Sequence, residues 1–172
     1  SLPTSVERRA YVSQHLKANG IDTFEWHDAY DPSAIEVKQL FADGSVQRYP
    51  PCFRCGKDSC ERDDCNNVLL PAQVAVFATY LALWKKIASR GERALVVEDD
   101  VRLHSAWQDV LPVLNFDIVS GALPFRAETP CLLRLGWALG GDHDQPGPVR
   151  LENTVRMSNP CFGLTSAFAH KA

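Results

Sequence analysis

The pattern of apolar and polar residues is clearest in one short stretch. Residues 94–97 are four consecutive apolar residues, and they run directly into three acids, Glu98, Asp99 and Asp100. A short apolar run is typical of a strand buried on both faces, as in the parallel sheet of an α/β protein, and we predict a strand over residues 94–98. Because side chains alternate along a strand, Glu98 and Asp100 are predicted to point to one side and Asp99 to the other.

Helices are predicted on both sides of this strand. Thr4 and Glu7 have the spacing of a capping box and Gly20 supplies a stop signal, which together predict a helix over residues 5–18. The order of helices and strands favours an α/β fold with a mostly parallel sheet flanked by helices. The remaining elements are strands over 23–27, 131–139 and 149–157, helices over 72–89 and 105–114, the second bent near Pro112, and a final helix from residue 159.

Length and charge limit the classes of protein that fit. The chain has 172 residues, of which 45% are hydrophobic, so we expect a single domain over residues 1–172 with a real core. Its net charge of −3 gives no electrostatic case for a nucleic-acid or acidic-membrane partner. The most apolar run, residues 68–87, is interrupted by polar residues and fits a buried helix better than a transmembrane segment. The first residue is not methionine and no strand precedes the first helix, so we expect a domain shortened at both ends.

Residues 45–70 lose this periodicity and contain a cluster of cysteines. Cys52, Cys55, Cys60 and Cys65 have the spacing C-x2-C-x4-C-x4-C, and the segment resembles a retroviral-type zinc knuckle with Cys60 in place of histidine. Four closely spaced thiolates suit a tetrahedral structural zinc, so we expect Zn²⁺ in a small insertion and a cytoplasmic protein. The alternative is two disulfides, which would require an oxidising compartment.

The resemblance to a zinc knuckle suggests nucleic-acid binding as a second functional class. Zinc knuckles often bind single-stranded nucleic acid, but here three basic residues are outnumbered by four acids between positions 54 and 64. A net acidic surface is poorly suited to neutralising phosphates, so local scaffolding is the favoured role of the insertion. For Cys131 and Cys161, which lie outside any motif, buried thiols are expected.

The three acids after the apolar run are the main candidate for chemistry. Ligand sites in open α/β sheets lie beyond the carboxyl ends of strands. Carboxylates crowded there repel one another unless a cation offsets their charge, so Glu98, Asp99 and Asp100 favour a hard divalent metal with oxygen ligands. The alternative is a solvated acidic turn after a core strand.

Three stretches in this order resemble glycosyltransferase family 25: Glu7-Arg8-Arg9, the Leu-Ala-Leu-Trp-Lys-Lys-Ile of residues 81–87, and the Val-Val-Glu-Asp-Asp-Val of residues 96–101. That family includes bacterial lipopolysaccharide galactosyl- and glucosyltransferases and animal collagen galactosyltransferases. The resemblance implies a GT-A, Rossmann-like fold and an inverting transfer of a hexose, galactose or glucose, from a UDP-sugar to a glycan or other hydroxyl acceptor. It also implies that Mn²⁺ or Mg²⁺ bridges the diphosphate of the donor.

The resemblance implies roles for individual residues. Asp100, helped by Glu98, would hold the metal and neutralise charge on the departing UDP, while Asp99 would face the ribose or the sugar hydroxyls. Arg8, in the first turn of its helix, is predicted to meet the nucleotide, and Asp28 to lie near the base. A separate carboxylate must accept the proton of the acceptor hydroxyl. The candidates are Asp142, Asp144 and Glu152, and Asp142 is preferred because the glycines before it allow close approach of a substrate.

The chain also departs from the family pattern. Members usually carry a Ser-His pair before the Leu-x-Leu-Trp segment, where this chain has Thr79-Tyr80. The alternative to an active enzyme is therefore a non-catalytic relative that keeps the fold as a binding or interaction module, or, less favoured, a nucleic-acid-binding zinc-knuckle protein.

Overall fold

A computed structural model describes residues 1–46, 52, 55–57, 70–135 and 161–171 of the chain. Its contacts divide these residues into two compact units. The first unit contains Ser1, Ser5–Trp26 and the chain from Trp84 onward, and the second contains Leu2–Thr4 and His27–Leu83.

The first unit is built on a three-stranded sheet. Its strands are β1 (Arg93–Val97), β2 (Leu132–Arg134) and β3 (Cys161–Thr165), in the order β1-β3-β2. All five residues of β3 are buried, as expected for the middle strand, whereas residues of β1 alternate between exposed and half-buried positions before its end. The acids that follow β1 therefore lie beside the beginning of β3, because Val97 pairs with Cys161.

The direction of pairing differs from the sequence prediction. Both β1 and β2 run antiparallel to β3, so the mostly parallel sheet expected from the apolar run is wrong for the described strands. An apolar run indicates burial but carries no information on the direction of its neighbour. The partner, Cys161–Thr165, was itself expected to be helical, and only Ser166–Ala169 form a helix, α5.

The same unit also contains the helices α1 (Val6–Ala18) and α4 (Trp107–Ser120). The helix α1 begins at Ser5, whose side chain makes no capping hydrogen bond, and the chain turns at Gly20 with φ +78°. The helix α4 continues through Pro112 for eight more residues, so the predicted end near position 114 is too early. Proline inside a helix removes one backbone donor and its ring crowds the carbonyl four residues earlier, which is why the sequence indicated an end close to Pro112. The buried apolar side chains of the unit are Val12, Leu16, Ile87, Ala88, Val101, Leu114, Phe125, Cys161, Phe162 and Leu164.

The second unit has a small core between two helices. These are α2 (Ile35–Ala42), which the sequence reading missed, and the part of α3 (Pro71–Arg90) up to Leu83. Their contact is formed by Val37, Val74, Ala75 and Ala78. The Thr79 hydroxyl donates to the Ala75 carbonyl at 2.7 Å and accepts the Tyr30 N–H at 3.0 Å, which fixes the chain that precedes α2.

The predicted strand over residues 23–27 does not form. Its aromatics instead pack on each other, with the Phe24 and Trp26 rings edge to face at a centroid distance of 5.5 Å. Alternation with two aromatics is typical of a strand, but a strand also needs a neighbour to complete its hydrogen bonds. The predicted strand over residues 149–157 lies outside the described residues.

Candidate functional site

The three acids form a tight turn immediately after β1. The Val101 N–H donates to the Glu98 carbonyl at 3.3 Å, and the Val101 side chain is buried. Glu98 and Asp99 are half-buried and Asp100 is exposed. We refer to residues 98–104, which join β1 to α4 and have no regular secondary structure of their own, as the acidic loop.

Asp99 is held by the first turn of α1. The Arg8 guanidinium Nη1 lies 3.4 Å from Asp99 Oδ1, and 16% of the Asp99 side chain is exposed. Burial acts to raise the pKa of Asp99, but a hydrogen bond with Ser1, the positive amino group of Ser1 and the charge of Arg8 outweigh it, so the pKa lies below its ordinary value. Asp99 is therefore ionised at neutral pH.

The neighbouring arginine has a different environment. Arg9 Nη2 donates to the Ser1 carbonyl at 2.9 Å, and its guanidinium carbon lies 4.9 Å from the centre of the Trp26 ring. This is a cation–π contact within the first unit. Arg8 makes a side-chain ion pair with the acidic loop through Asp99.

A second contact joins α1 to the acidic loop. His15 Nε2 accepts the backbone N–H of Leu103 at 2.8 Å, and the imidazole stacks on the Tyr11 ring at 5.8 Å between centroids. The sequence reading missed His15. A signal was present, since His15 follows Arg8 by seven residues and therefore lies on the same face of the helix.

The acidic loop contains carboxylates that could bind a divalent cation. In the described part of the chain, no group of three His, Cys, Asp or Glu side chains converges on one point. Asp99 faces Arg8, and Glu98 and Asp100 are the other two carboxylates of this turn. One or two carboxylates completed by water and substrate phosphate are the usual ligands of Mg²⁺ at nucleotide sites. Two carboxylates of the loop are of the type that suits such a cation, and the described residues do not complete an all-protein metal cage.

The other predicted site residues belong to the second unit or lie outside the described residues. Asp28 is exposed and belongs to the second unit. Asp142, Asp144 and Glu152 lie outside the described residues, so the choice of Asp142 as base stays a prediction.

Two of the four clustered cysteines are described. The Cys52 N–H donates to the Lys57 carbonyl at 2.8 Å and the Gly56 N–H donates to the Cys52 carbonyl at 2.6 Å. Gly56 has a φ of +69°, and Cys52 is buried whereas Cys55 is exposed. These residues form a tight turn. Cys60 and Cys65 lie outside the described residues, so the zinc site and its disulfide alternative stay predictions.

The two remaining cysteines are thiols in the sheet region. Cys131 and Cys161 form no disulfide, and burial raises the pKa of both thiols, that of Cys161 to about 11. Both are therefore protonated at neutral pH, as expected for structural cysteines. None of the described helices has the length and apolar character needed to span a bilayer.

Comparison with known proteins identifies the family. No curated protein matches the chain. The model of glycosyltransferase family 25, described as a lipopolysaccharide biosynthesis protein, matches residues 1–128. This span contains α1, β1 and the acidic loop, and it covers most of the 172 residues. The chain that places Arg8 against Asp99 at the end of β1 therefore belongs to glycosyltransferase family 25.

Proposed function

We propose that the protein transfers a hexose, galactose or glucose, from a UDP-sugar to a hydroxyl group of a glycan or similar acceptor. The observation that carries this proposal is the ion pair between Arg8 and Asp99, which brings the first turn of α1 to the acidic end of β1. Family membership supports sugar transfer in general. The donor, metal and acceptor are inferred from the chemistry of these side chains and from the family resemblance.

Glu98 and Asp100 would hold Mn²⁺ or Mg²⁺, with the donor diphosphate completing the coordination. When bound, such a cation supplies Lewis-acid stabilisation of the departing diphosphate. Glu98 is half-buried and Asp100 is exposed. A donor in solution could therefore reach Asp100.

Asp99 and Arg8 would contact the hydroxyl groups and the phosphate of the donor. Ionised Asp99 can accept hydrogen bonds from ribose or sugar hydroxyl groups, and Arg8, with 64% of its side chain exposed, keeps donors available for a phosphate oxygen. Asp28 is proposed to lie near the nucleotide base.

In the inverting reaction, the acceptor oxygen forms a bond to the anomeric carbon while the bond from that carbon to the phosphate oxygen breaks. The acceptor proton goes to a carboxylate, and UDP leaves with the electron pair of the broken bond. Asp142 is the proposed base.

Calorimetry with UDP and Mn²⁺ tests the donor site. We expect the wild-type chain to bind UDP only when Mn²⁺ is present, and Asp100→Ala to weaken that binding by at least about tenfold, as loss of a metal contact typically does. Asp22→Ala, which removes an exposed aspartate of the same unit that is not part of the acidic loop, is the matched control. Binding that is absent in the wild type, or unchanged in Asp100→Ala, would contradict the proposal.

A non-catalytic binding module is the second candidate. The observation that favours it is the use of Thr79, which stands where the family usually has serine, as a structural bridge between Ala75 and Tyr30. Incubation with radiolabelled UDP-galactose and UDP-glucose separates the two functions. Release of free or transferred sugar would exclude the non-catalytic candidate, whereas binding of UDP with no release would support it.

We also propose a structural Zn²⁺ held by Cys52, Cys55, Cys60 and Cys65. The turn of Cys52 to Lys57, with its positive-φ Gly56, supports this proposal because tight turns are needed to gather closely spaced thiolates. We expect about one zinc per chain by elemental analysis, with loss of zinc in Cys52→Ser and retention in the control Cys131→Ser. Disulfides among the four cysteines by mass spectrometry would contradict both the zinc and the proposed cytoplasmic location.

A further inference from the structure

We infer that His15 is a positioning residue for the acidic loop, holding it against α1 through the backbone N–H of Leu103. The inference rests on the function proposed for Glu98 and Asp100 and adds to it a residue outside the acidic motif. Its basis is the 2.8 Å hydrogen bond between Leu103 N and His15 Nε2, which joins residues 88 positions apart in the sequence.

The helix contacts the loop at two points. Arg8 meets Asp99 near the start of the loop, and His15 meets Leu103 near its end. Seven residues span two helical turns, or about 10 Å along the axis, so the two side chains lie one above the other on one face of α1. The buried Val12 and Leu16 lie on this face as well. Glu98 and Asp100 therefore belong to a loop that is tied to one rigid helix on both sides of Asp100.

The second contact matters because the loop has little internal support. Within the described part of the chain, its backbone hydrogen bonds are the Val101 to Glu98 turn and the bond from Trp107 N–H to the His104 carbonyl, and its residues pair with none of the described strands. Carboxylates that bind a cation must be held close to the productive geometry, and groups that orient such ligands strongly affect metal affinity. The Leu103 N–H donates to His15. Without this contact, the same N–H would donate to water.

The chemistry of the contact requires a neutral ring. An imidazole nitrogen accepts a hydrogen bond only when it carries no proton, so Nε2 is the acceptor and Nδ1 carries the proton. Stacking on Tyr11 and the helical position of His15 fix the ring plane. An amide oxygen at the same position can also accept, but a phenyl ring cannot, which provides a matched pair of substitutions.

The test uses Mn²⁺ alone as the probe. We expect His15→Phe, which keeps a ring beside Tyr11 but removes the acceptor, to weaken Mn²⁺ binding measured by electron paramagnetic resonance by about tenfold. We expect His15→Gln to restore most of that affinity through its Oε1 acceptor. Gln14→Phe, at the adjacent exposed position, controls for adding an aromatic ring to α1 and should bind Mn²⁺ as the wild type does. Rescue by glutamine distinguishes positioning from simple stabilisation, because glutamine restores the acceptor without restoring the ring.

A second measurement requires no substitution. Hydrogen exchange of the Leu103 amide in the wild-type chain at pH 8 should be at least about tenfold slower than in an unstructured peptide, and exchange at the unprotected rate would overturn the inference. Failure of the wild type to bind Mn²⁺ would overturn the metal proposal and the positioning role with it. Wild-type binding with unchanged affinity in a folded His15→Phe would overturn the positioning role alone.

Discussion

Thr165 is a single polar residue that satisfies several backbone groups in the interior. Its side chain is fully buried, and its hydroxyl donates to the Thr129 carbonyl at 2.7 Å while accepting the Cys131 N–H at 3.0 Å. It also accepts the Phe168 N–H at 3.3 Å as the N-cap of α5. One hydroxyl thus joins the end of β3 to the chain before β2 and starts the following helix.

We expect Thr165→Val to lower the free energy of unfolding by about 1–3 kcal/mol, because valine keeps the shape but leaves buried backbone groups without partners. Thr165→Ser keeps the hydroxyl and loses only a methyl group, so it should cost about 1 kcal/mol or less. Chemical denaturation followed by tryptophan fluorescence measures both. Equal stability of the valine and wild-type chains would contradict the role of the hydroxyl.

Single residues at the site show the limits of sequence reasoning. Strand alternation predicted that Asp99 points away from Glu98 and Asp100, but β1 ends at Val97 and the three acids follow it in a turn, where Asp99 contacts Arg8. Neither the partner of Asp99 nor the contact of His15 with Leu103 could be derived from spacing along the chain, because each joins residues about 90 positions apart, 91 and 88 respectively. The repeat of seven between Arg8 and His15 identified a shared face but not what that face contacts.

At the scale of elements, an ion-pair cluster ties the segment after α1 to the last turns of α3. Arg90 forms two hydrogen bonds with Glu25, at 2.6 and 3.1 Å, and Lys86 Nζ lies 3.1 Å from Glu25 Oε1. The hydrogen bonds from Arg90 and Lys86 lower the pKa of Glu25 to about 2 from an ordinary value of 4.5. This segment was predicted to be a strand, and it is instead held by side chains.

The lowered pKa determines the pH dependence of stability. Because Glu25 is more acidic in the folded chain, its contribution is fully present above about pH 4.5 and is lost as the pH falls towards 2. The group is exposed and screened by water, so the contribution is about 0.5–1 kcal/mol at low salt. We expect Glu25→Gln to lower the unfolding temperature at pH 7. Between pH 4.5 and 2, the unfolding temperature of this variant should fall less than that of the wild type.

Thermal unfolding monitored by circular dichroism from pH 7 to 2 measures this effect. Glu128→Gln, at another exposed glutamate, is the control. Addition of 1 M NaCl should reduce the difference between Glu25→Gln and wild type, since salt screens exposed charges. A Glu25→Gln chain with the wild-type pH profile would contradict the assignment.

At the scale of the whole molecule, the sheet depends on a strand far along the chain. The family match ends at residue 128, but β1 pairs with β3, which begins at Cys161. Within the described sheet, β3 is the middle strand and the neighbour of both others. The acidic loop is therefore carried by a strand whose partner lies beyond the matched region.

We expect a chain ending at residue 128 not to fold cooperatively, because β1 would lose its partner and expose its backbone donors and acceptors. The full chain should show one or more cooperative thermal transitions in near-ultraviolet circular dichroism, and a chain ending at residue 170 should behave like it. A cooperative transition of the shorter chain at the same temperature would show that β3 is dispensable.

The sequence by itself determined the elements that depend on local physics. The capping-box spacing and the Gly20 stop signal predicted α1, and the apolar pattern predicted α3, each to within one residue at either end, and the apolar run before the acids predicted β1. The motifs also indicated the family that the comparison identified. These predictions are correct because helix signals, short apolar runs and short motifs each depend on residues that are close together in the sequence.

Only the tertiary structure decided which distant segments meet. The antiparallel pairing of β1 with Cys161–Thr165, the contact of Arg8 with Asp99 and the hydrogen bond of Leu103 to His15 each join segments far apart in the chain. The direction of a strand's neighbour and the partner of a side chain are set by packing and by the completion of hydrogen bonds across the molecule. The linear pattern predicted a strand buried on both faces, which is wrong because β1 alternates between exposed and half-buried residues, and only the folded chain supplies the partner that its acids need.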